Sequence, residues 1–434
     1  MNLFSLVWSY LKARPLNTAI NIVLLSLGIA VITILLIFNK QLEEKITTNS
    51  RGIDLVVGAK GSPLQLILCN IFHIDFPTGN ISLAEAERIS KHRLIKKAVP
   101  LALGDSYQAY RIIGTNRDYP ALYKAELAEG NWFKANLEVT IGATVAQMSK
   151  LKIGDTFESA HGLAEGGHAH NEHMYKVTGI LKPSYTVVDN LILTNVESVW
   201  VMHHEEEEPP EVPEEDHVHD HDGEHTHDHD YEHAIDSSML SPLVPSVLKG
   251  DSTLEITSVL LQYRSPMGAI QLPRQINSGS NLQAASPAFE TARLFSILGV
   301  GIDILMAFAY VLILISALSI FIALYNSLKE RRYDMAILRS MGASRGKLFV
   351  SILLEGGLLT FLGSLTGLLM AHIAVLILGT VMPEIQKSGI SGLVFYPEEW
   401  IILAASLLLG LACALIPAIQ AYRTDISRVL AGNA

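Results

Sequence analysis

Residues 304–328 read ILMAFAYVLILISALSIFIALYNSL, and residues 329–347, directly after, read KERRYDMAILRSMGASRGK. The first stretch holds no charged residue. A helix needs roughly 20 apolar residues to cross the hydrocarbon core of a bilayer, so it is long enough to span. The second stretch carries six basic residues, Lys329, Arg331, Arg332, Arg339, Arg345 and Lys347, against Glu330 and Asp334. Short loops rich in Lys and Arg stay on the cytoplasmic side. Two more uncharged runs follow, Gly356–Pro383 and Trp400–Tyr422. A fourth, Pro15–Asn39, lies behind Lys12 and Arg14. It is longer than the apolar core of about 7–15 residues in a secretory signal, and no small-x-small cleavage site follows Phe38, so it reads as an uncleaved anchor.

The expected fold class is a membrane protein. Four transmembrane helices, one N-terminal and three C-terminal, flank a large external α+β domain. The boundaries read from the charge pattern are a cytoplasmic N-terminus over 1–16, spans over 17–39, 294–328, 348–380 and 400–422, and an external domain over 40–290. A cytoplasmic loop covers 329–347, an external loop 381–399 and a cytoplasmic tail 423–434. Arg423 and Arg428 agree with a tail on the inside. Both termini are then expected on the cytoplasmic side and the large domain on the outer side. Cys69 and Cys413 fall in different parts of this scheme, so no disulfide between them is expected.

The formal charge of −11 belongs to one segment. Between His203 and His233 there are fourteen acidic residues and no Lys or Arg; without them the chain carries +3. Outside that segment the external region alternates short strand and helix signals. Ile53–Ala59, Val139–Gly142, Thr156–Glu158, Tyr175–Leu181, Val187–Thr194 and Leu254–Tyr263 read as strands. Ser82 with Glu85 forms a capping-box pattern opening a helix over Leu83–His92, and Thr144–Leu151 reads as a short helix.

Two insertions, 159–174 and 203–235, interrupt this pattern. Thirteen of the sixteen histidines lie in them: His161, His168, His170, His173, His203, His204, His217, His219, His221, His225, His227, His229 and His233. The second also holds four consecutive glutamates and three prolines, and its composition cannot bury a core. Neutral imidazole is a good ligand for Zn²⁺, Cu²⁺ and Ni²⁺, and neighbouring carboxylates add charge attraction. His-x-His-x-His runs on a polar chain suit capture, buffering or sensing of metal. They do not suit catalysis, which needs a fixed geometry with one open position. The plain alternative is a solvated polyanionic linker. A third reading is a pH sensor, since imidazole titrates near pH 6.5.

The residues from Glu330 to Arg345, then Glu355-Gly356-Gly357, Gly363-x-x-x-Gly367 and the closing Pro417-Ala418-x-x-Ala421-x-Arg423, resemble the FtsX-like permease domain of ABC transporters. Asp334-Met335 stands where that family often has Glu-Ile. The pieces Ile141-Gly142, Lys152-Ile153-Gly154-Asp155 and Val177-Thr178-Gly179-Ile180 are similar to the MacB-like periplasmic core domain. The resemblance implies a permease of the MacB/LolC type, with a short surface helix in the cytoplasmic loop that couples to an ATPase. The coupling residues are then Arg331, Arg332, Asp334, Met335, Leu338, Arg339, Gly342 and Ala343. Met335, Leu338 and Met341 are expected on one apolar side, with the arginines left for an ATPase cleft.

The partners implied are a cytoplasmic ABC ATPase, which would bind ATP, a second permease, identical or related, and a periplasmic metal-binding or cargo protein, all amid membrane lipid. No nucleic-acid partner is expected. No intrinsic cofactor is expected either, beyond Zn²⁺, or Cu²⁺ or Ni²⁺, at the histidines. Gly342-x-x-x-Gly346-Lys347-Leu348 is one residue short of a phosphate loop and has Leu where a Mg²⁺-binding Ser or Thr belongs, so the chain itself is not expected to be an enzyme. Asp303, Glu355 and His372 lie in or near the apolar runs; His372 reads as a packed interhelical residue. A different class of function is a metal-responsive signalling scaffold that gates an external partner without moving solute. A metal-buffering anchor without an ATPase is disfavoured by Gly342-Ala343-Ser344.

Overall fold

The uncharged runs become long helices in the computed structural model, which describes residues 3–161, 174–203, 254–382 and 390–423. In chain order the elements begin with α1 (Leu3–Ala13), α2 (Pro15–Asn49), β1 (Leu55–Ala59), α3 (Pro63–Asn70), β2 (Ile81–Ser82), α4 (Leu83–Ser90), β3 (Ile95–Tyr107) and β4 (Tyr110–Gly114). Next come α5 (Asp118–Leu122), β5 (Leu127–Gly130), β6 (Glu138–Ile141), α6 (Ala143–Ser149), β7 (Thr156–Phe157), β8 (Ala160–His161), β9 (Tyr175–Leu181) and β10 (Leu191–Thr194). The rest are α7 (Val196–His203), β11 (Glu255–Ile256), β12 (Ser258–Tyr263), α8 (Met267–Gly279), β13 (Leu282–Ala285), α9 (Pro287–Glu330), α10 (Arg332–Ser340), α11 (Arg345–Val381) and α12 (Glu398–Arg423). Two compact units result, Met1–Glu44 with Phe295–Ala434, and Lys45–Leu294.

In the first unit, α2, α9, α11 and α12 are each long and apolar enough to cross a membrane. They outrun the charge-free stretches. At about 1.5 Å per residue, the 44 residues of α9 extend about 66 Å, twice the roughly 30 Å of a bilayer core. Packing among them uses small residues. A methyl group on Gly363 would press on Leu25 at 2.9 Å, and one on Gly367 would lie 2.9 Å from Ile29. This Gly-x-x-x-Gly pair therefore receives α2 of the same chain. Polar residues also meet between the helices: the Ser319 hydroxyl donates to Asn21 Oδ1 at 2.6 Å.

In the second unit an eleven-stranded mixed sheet runs β13-β1-β12-β3-β4-β10-β6-β9-β5, with β7 on β9 and β8 on β3. Apolar side chains fill its faces, including Leu55, Val57 and Val259 in one cluster and Val56, Ile67 and Leu101 in another. The Ser82 cap is present: its hydroxyl accepts from the Glu85 amide at 3.3 Å.

Of the expected strands, two depart most from the sequence reading. Over Val187–Asn190 the chain makes a 3-10 turn before β10, because the Asp189 carboxylate accepts from the Ser184 amide at 2.9 Å and the Tyr185 amide at 2.7 Å. Local bonds of this kind compete with a ladder. The strand over Leu254–Tyr263 breaks at Thr257, whose hydroxyl accepts from the Leu103 amide at 2.9 Å.

His73 makes part of this domain pH-sensitive. It sits in a left-handed conformation (φ 56°), and its Nε2 shares a 2.7 Å hydrogen bond with the Tyr119 hydroxyl. Burial, with the nearby Arg111 charge second, pushes its pKa down to about 3, against about 6.5 in an unfolded chain. Between those values the unfolded chain binds the extra proton, so stability is full above about pH 6.5 and falls as pH drops toward 3. The loss is about 1.4 kcal/mol per pH unit, or about 2 kcal/mol from pH 6.5 to 5. His73→Asn, which accepts the left-handed backbone, should flatten this slope in thermal melts of the detergent-solubilised chain. Equal slopes in both proteins would show that His73 takes up its proton without cost.

Candidate functional site

The loop over 329–347 folds as a helix pinned at both ends. Arg331 is the single residue between α9 and α10, and Gly342, at φ 95°, turns the chain out of α10. Ser344 then caps α11, its hydroxyl accepting from the Lys347 amide at 3.4 Å. The positive φ at Gly342 explains the Gly-Ala-Ser break: a side chain there would be strained.

The apolar side of α10 faces inward. Met335 is buried with Leu328, Leu348, Ile352, Ala418 and Ala421, and Leu338 packs at the edge of that cluster. Met341, in contrast, is 79% exposed. At 3.6 residues per turn, position i+6 lies about 120° from position i, so the three do not form one side. Met335 and Leu338 anchor α10 to α9, α11 and α12 of this chain. Tyr333, Asp334, Ile337 and Met341 are exposed instead.

The basic residues divide similarly. Arg331 is buried: its Nη1 lies 3.5 Å from Glu355 Oε2, and its guanidinium stacks over the Tyr10 ring at 3.8 Å. It is not available to an ATPase cleft, contrary to the sequence expectation. Arg339 and Ala343 are half-buried. Arg332 lies in the first turn of α10; its side chain is outside the described residues.

A second polar cluster joins the outer ends of the spanning helices. His372 bonds the Gly392 carbonyl at 2.7 Å and Glu399 Oε2 at 2.8 Å. Glu399 is fully buried, and its other oxygen accepts from the Tyr396 amide at 2.9 Å. Gln41 brackets Ser391, donating to its carbonyl at 2.7 Å and accepting from its amide at 2.8 Å. Lys40 and Glu398 pair at 2.9 Å. His372 is thus the packed interhelical residue that the sequence suggested. Asp303 is exposed on α9.

Of the histidines, His161 lies in β8 opposite Asp105 of β3, and His203 closes α7. The side chains of these two lie outside the described residues, as do His168, His170, His173, His204, His217, His219, His221, His225, His227, His229 and His233. Among the described residues no group of three or more His, Cys, Asp or Glu is assembled to hold a metal. The roots of the long segment are nonetheless well defined. The Trp200 indole in α7 donates to the Glu255 carbonyl in β11 at 2.6 Å.

Tyr10 and Glu399 escaped the sequence reading. The signal for Tyr10 was present: Phe4, Val7, Trp8 and Leu11 repeat at helical spacing, and Val7 and Leu11 are indeed buried, against Leu359. Glu399 carried no such signal, because its partner His372 lies in another helix.

Residues 306–426 match the family model of the FtsX-like permease C-terminal domain, and residues 18–212 match that of the MacB-like periplasmic core domain. Among solved structures, the chain is similar to the periplasmic region of MacB from Actinobacillus actinomycetemcomitans at 14% identity, over 58% of this chain and 97% of that one, with a TM-score of 0.32. It is also similar to the extracellular domain of the noncanonic ABC-type transporter YknZ from Gram-positive bacteria, at 13% identity, over 54% and 99%, with a TM-score of 0.26. No curated protein matches the chain.

Proposed function

The chain belongs to the FtsX-like, MacB/LolC-type permeases of ABC transporters that carry a MacB-like periplasmic core domain, and from that premise we propose that it transmits force from a cytoplasmic ATPase to its external domain. Permeases of this type are bacterial membrane proteins that work with a cytoplasmic ABC ATPase. Both termini and α10 are cytoplasmic in this reading, and a second permease completes the unit. ATP hydrolysis belongs to the separate subunit. ATP-driven closure of the ATPases moves α10, and the movement reaches the external domain along α2 and α9. The cargo is a lipoprotein, a peptide, a metal-bound periplasmic partner or a lipid, and the histidine segments favour transition-metal handling, most simply of zinc.

One observation carries this reading. α10 is a short helix anchored by Met335 and Ala336, with Tyr333, Asp334, Ile337 and Met341 left exposed on its other side. An exposed apolar and aromatic strip on an anchored helix is what a groove in a partner would receive. The test is the double variant Tyr333→Asp, Ile337→Asp. A carboxylate desolvated in an interface costs several kcal/mol, and about 1.4 kcal/mol is tenfold in affinity. Co-purification of the cognate ATPase should fall at least tenfold while the permease still reaches the membrane. Unchanged co-purification would overturn the coupling role. Met335→Asp is a different experiment, because it puts a charge into the packing of this chain and should lower its own stability.

The histidine segments also favour a second reading, a metal-responsive scaffold that gates a periplasmic partner without moving solute. ATPase stimulation by cargo, and none by metal alone, selects transport; the reverse selects the scaffold.

A further inference from the structure

We propose that Arg331, Glu355 and Tyr10 form the joint through which α10 drives α11, which makes α1 a working part of the coupling machinery. This rests on the coupling role of α10 argued above. Arg331 and Glu355 are each 8% exposed, and their ion pair, at 3.5 Å, ties the α9–α10 junction to α11. Glu355 lies ten residues beyond Arg345, the first residue of α11, or about 15 Å along the helix.

The direct connection from α10 to α11 passes through the left-handed turn at Gly342. A push on α10 transmitted only there acts on the first turn of α11. The Arg331–Glu355 pair provides a second attachment nearly three turns further in. A buried ion pair adds little net stability, but separating its partners strands a charge among apolar side chains. The two helices are therefore held in register.

Tyr10 completes the joint from a third element. Its ring covers the guanidinium at 3.8 Å, and an Arg over an aromatic face is strongly attracted when water is excluded. α1 is itself fastened to α11 through Val7, Leu11 and Leu359, and Arg14, just beyond α1, pairs with Glu330 beside Arg331. α1 thus closes over the joint and holds the pair together. None of these three residues is a surface for the ATPase. They are positioning residues, and their loss should uncouple the assembly while leaving it intact.

The test uses the full permease–ATPase complex in lipid, with spin labels on cysteines replacing Phe38 of α2 and Ile377 of α11. Both positions are exposed, at 43% and 55%, and their neighbours Ile37 and Val375 pack in one cluster, so the pair reports movement of the outer part of α11 against α2. The wild type should show an ATP-dependent change in this distance. Tyr10→Leu and Glu355→Gln should each cut its amplitude at least threefold while the ATPase remains bound and hydrolysing. Tyr10→Phe, which keeps the ring face, should restore most of it. No ATP-dependent change in the wild type, or full amplitude in both Tyr10→Leu and Glu355→Gln, overturns the joint. Equal loss in Tyr10→Phe and Tyr10→Leu also overturns it, since the ring face would then be irrelevant. Loss of ATPase binding in Tyr10→Leu and Glu355→Gln assigns these residues to assembly and overturns it too. The Tyr333→Asp, Ile337→Asp variant run alongside separates the two readings: if that variant still binds the ATPase, the coupling role itself has failed.

Discussion

Gly410→Val is expected to prevent the spanning helices from assembling, with a loss of about 3 kcal/mol or more, the upper end of overpacking costs. α11 and α12 cross where Gly356 and Thr360 meet Gly410 and Ala414. A methyl group on Gly410 would lie 2.7 Å from Thr360 Cβ, and one on Gly356 would lie 2.7 Å from Ala414 Cβ. Thr360 cannot swing aside readily. It is β-branched, which restricts its rotamers, and its hydroxyl already donates within its own helix, with the Gly356 carbonyl at 3.0 Å and the Gly357 carbonyl at 3.1 Å. In a bilayer, lipid tails are as apolar as leucine, so helices associate through close packing of small residues. Filling the crossing removes the contact that holds it. Gly301→Val is the control, because nothing lies within 4 Å of a methyl group there. In detergent, Gly410→Val should melt well below wild type or elute as aggregate, and Gly301→Val should match wild type. Equal behaviour of the two variants would mean that α11 and α12 do not cross at Gly410.

That crossing shows what a single sequence discloses and what it withholds. The four spans were legible because length and absence of charge are properties of one continuous segment. The Ser82 cap was legible for the same reason, since both partners lie within four residues. The Gly363-x-x-x-Gly367 pattern was also visible, but its partner was not. Nothing in that string says whether α2 of the same chain or another molecule fills the groove. Gly410 lies alone in an apolar run and gives no local sign that Thr360 will press on it.

The 329–347 segment was read correctly as containing a helix and wrongly in which of its side chains are free. The arginines of this segment were all expected to be left for an ATPase cleft. Arg331 is instead consumed by Glu355 and Tyr10, residues 24 positions later and 321 positions earlier in the chain. Met335 and Leu338 have the spacing of an interface, and they do form one, but with the chain's own helices. Amphipathic periodicity reveals that a helix has a buried side; it does not reveal against what. In the external domain β3 went unread because Lys96, Lys97, Pro100 and Gly104 interrupt its apolar pattern, although most of the strand is buried between β12 and β4.

Replacing Glu205–His233 with a short Gly/Ser linker is expected to abolish most of the metal binding of the chain and to leave the external domain folded. The metal expectation follows from the ligands. Nine of the thirteen clustered histidines lie over His203–His233, seven of them within the replaced stretch, with fourteen carboxylates. A polar chain of this kind offers many equivalent sets of imidazole and carboxylate donors to Zn²⁺ or Cu²⁺. The folding expectation follows from the roots of the segment. Trp200 and Glu255 are joined by a hydrogen bond, and Val196, Val199, Leu254 and Ile256 share one buried cluster. α7 and β11 are thus held together by packing that the replacement does not touch, and the closure entropy of a loop changes only slowly with its length.

Isothermal titration of the chelator-stripped, detergent-solubilised chain with Zn²⁺ should give several ions per wild-type molecule. The replacement should give at most the share held by His161, His168, His170, His173, His203 and His204. Wild-type binding should weaken near pH 5, where protonated imidazole cannot coordinate. Melting in chelator should be nearly the same for both proteins. If the segment is also the functional input, added metal should change the ATPase rate of the wild-type complex and leave that of the replacement unchanged. Equal Zn²⁺ uptake by the two proteins would make the replaced stretch a passive linker and move any metal role to the histidines of the 159–174 insertion and to His203 and His204.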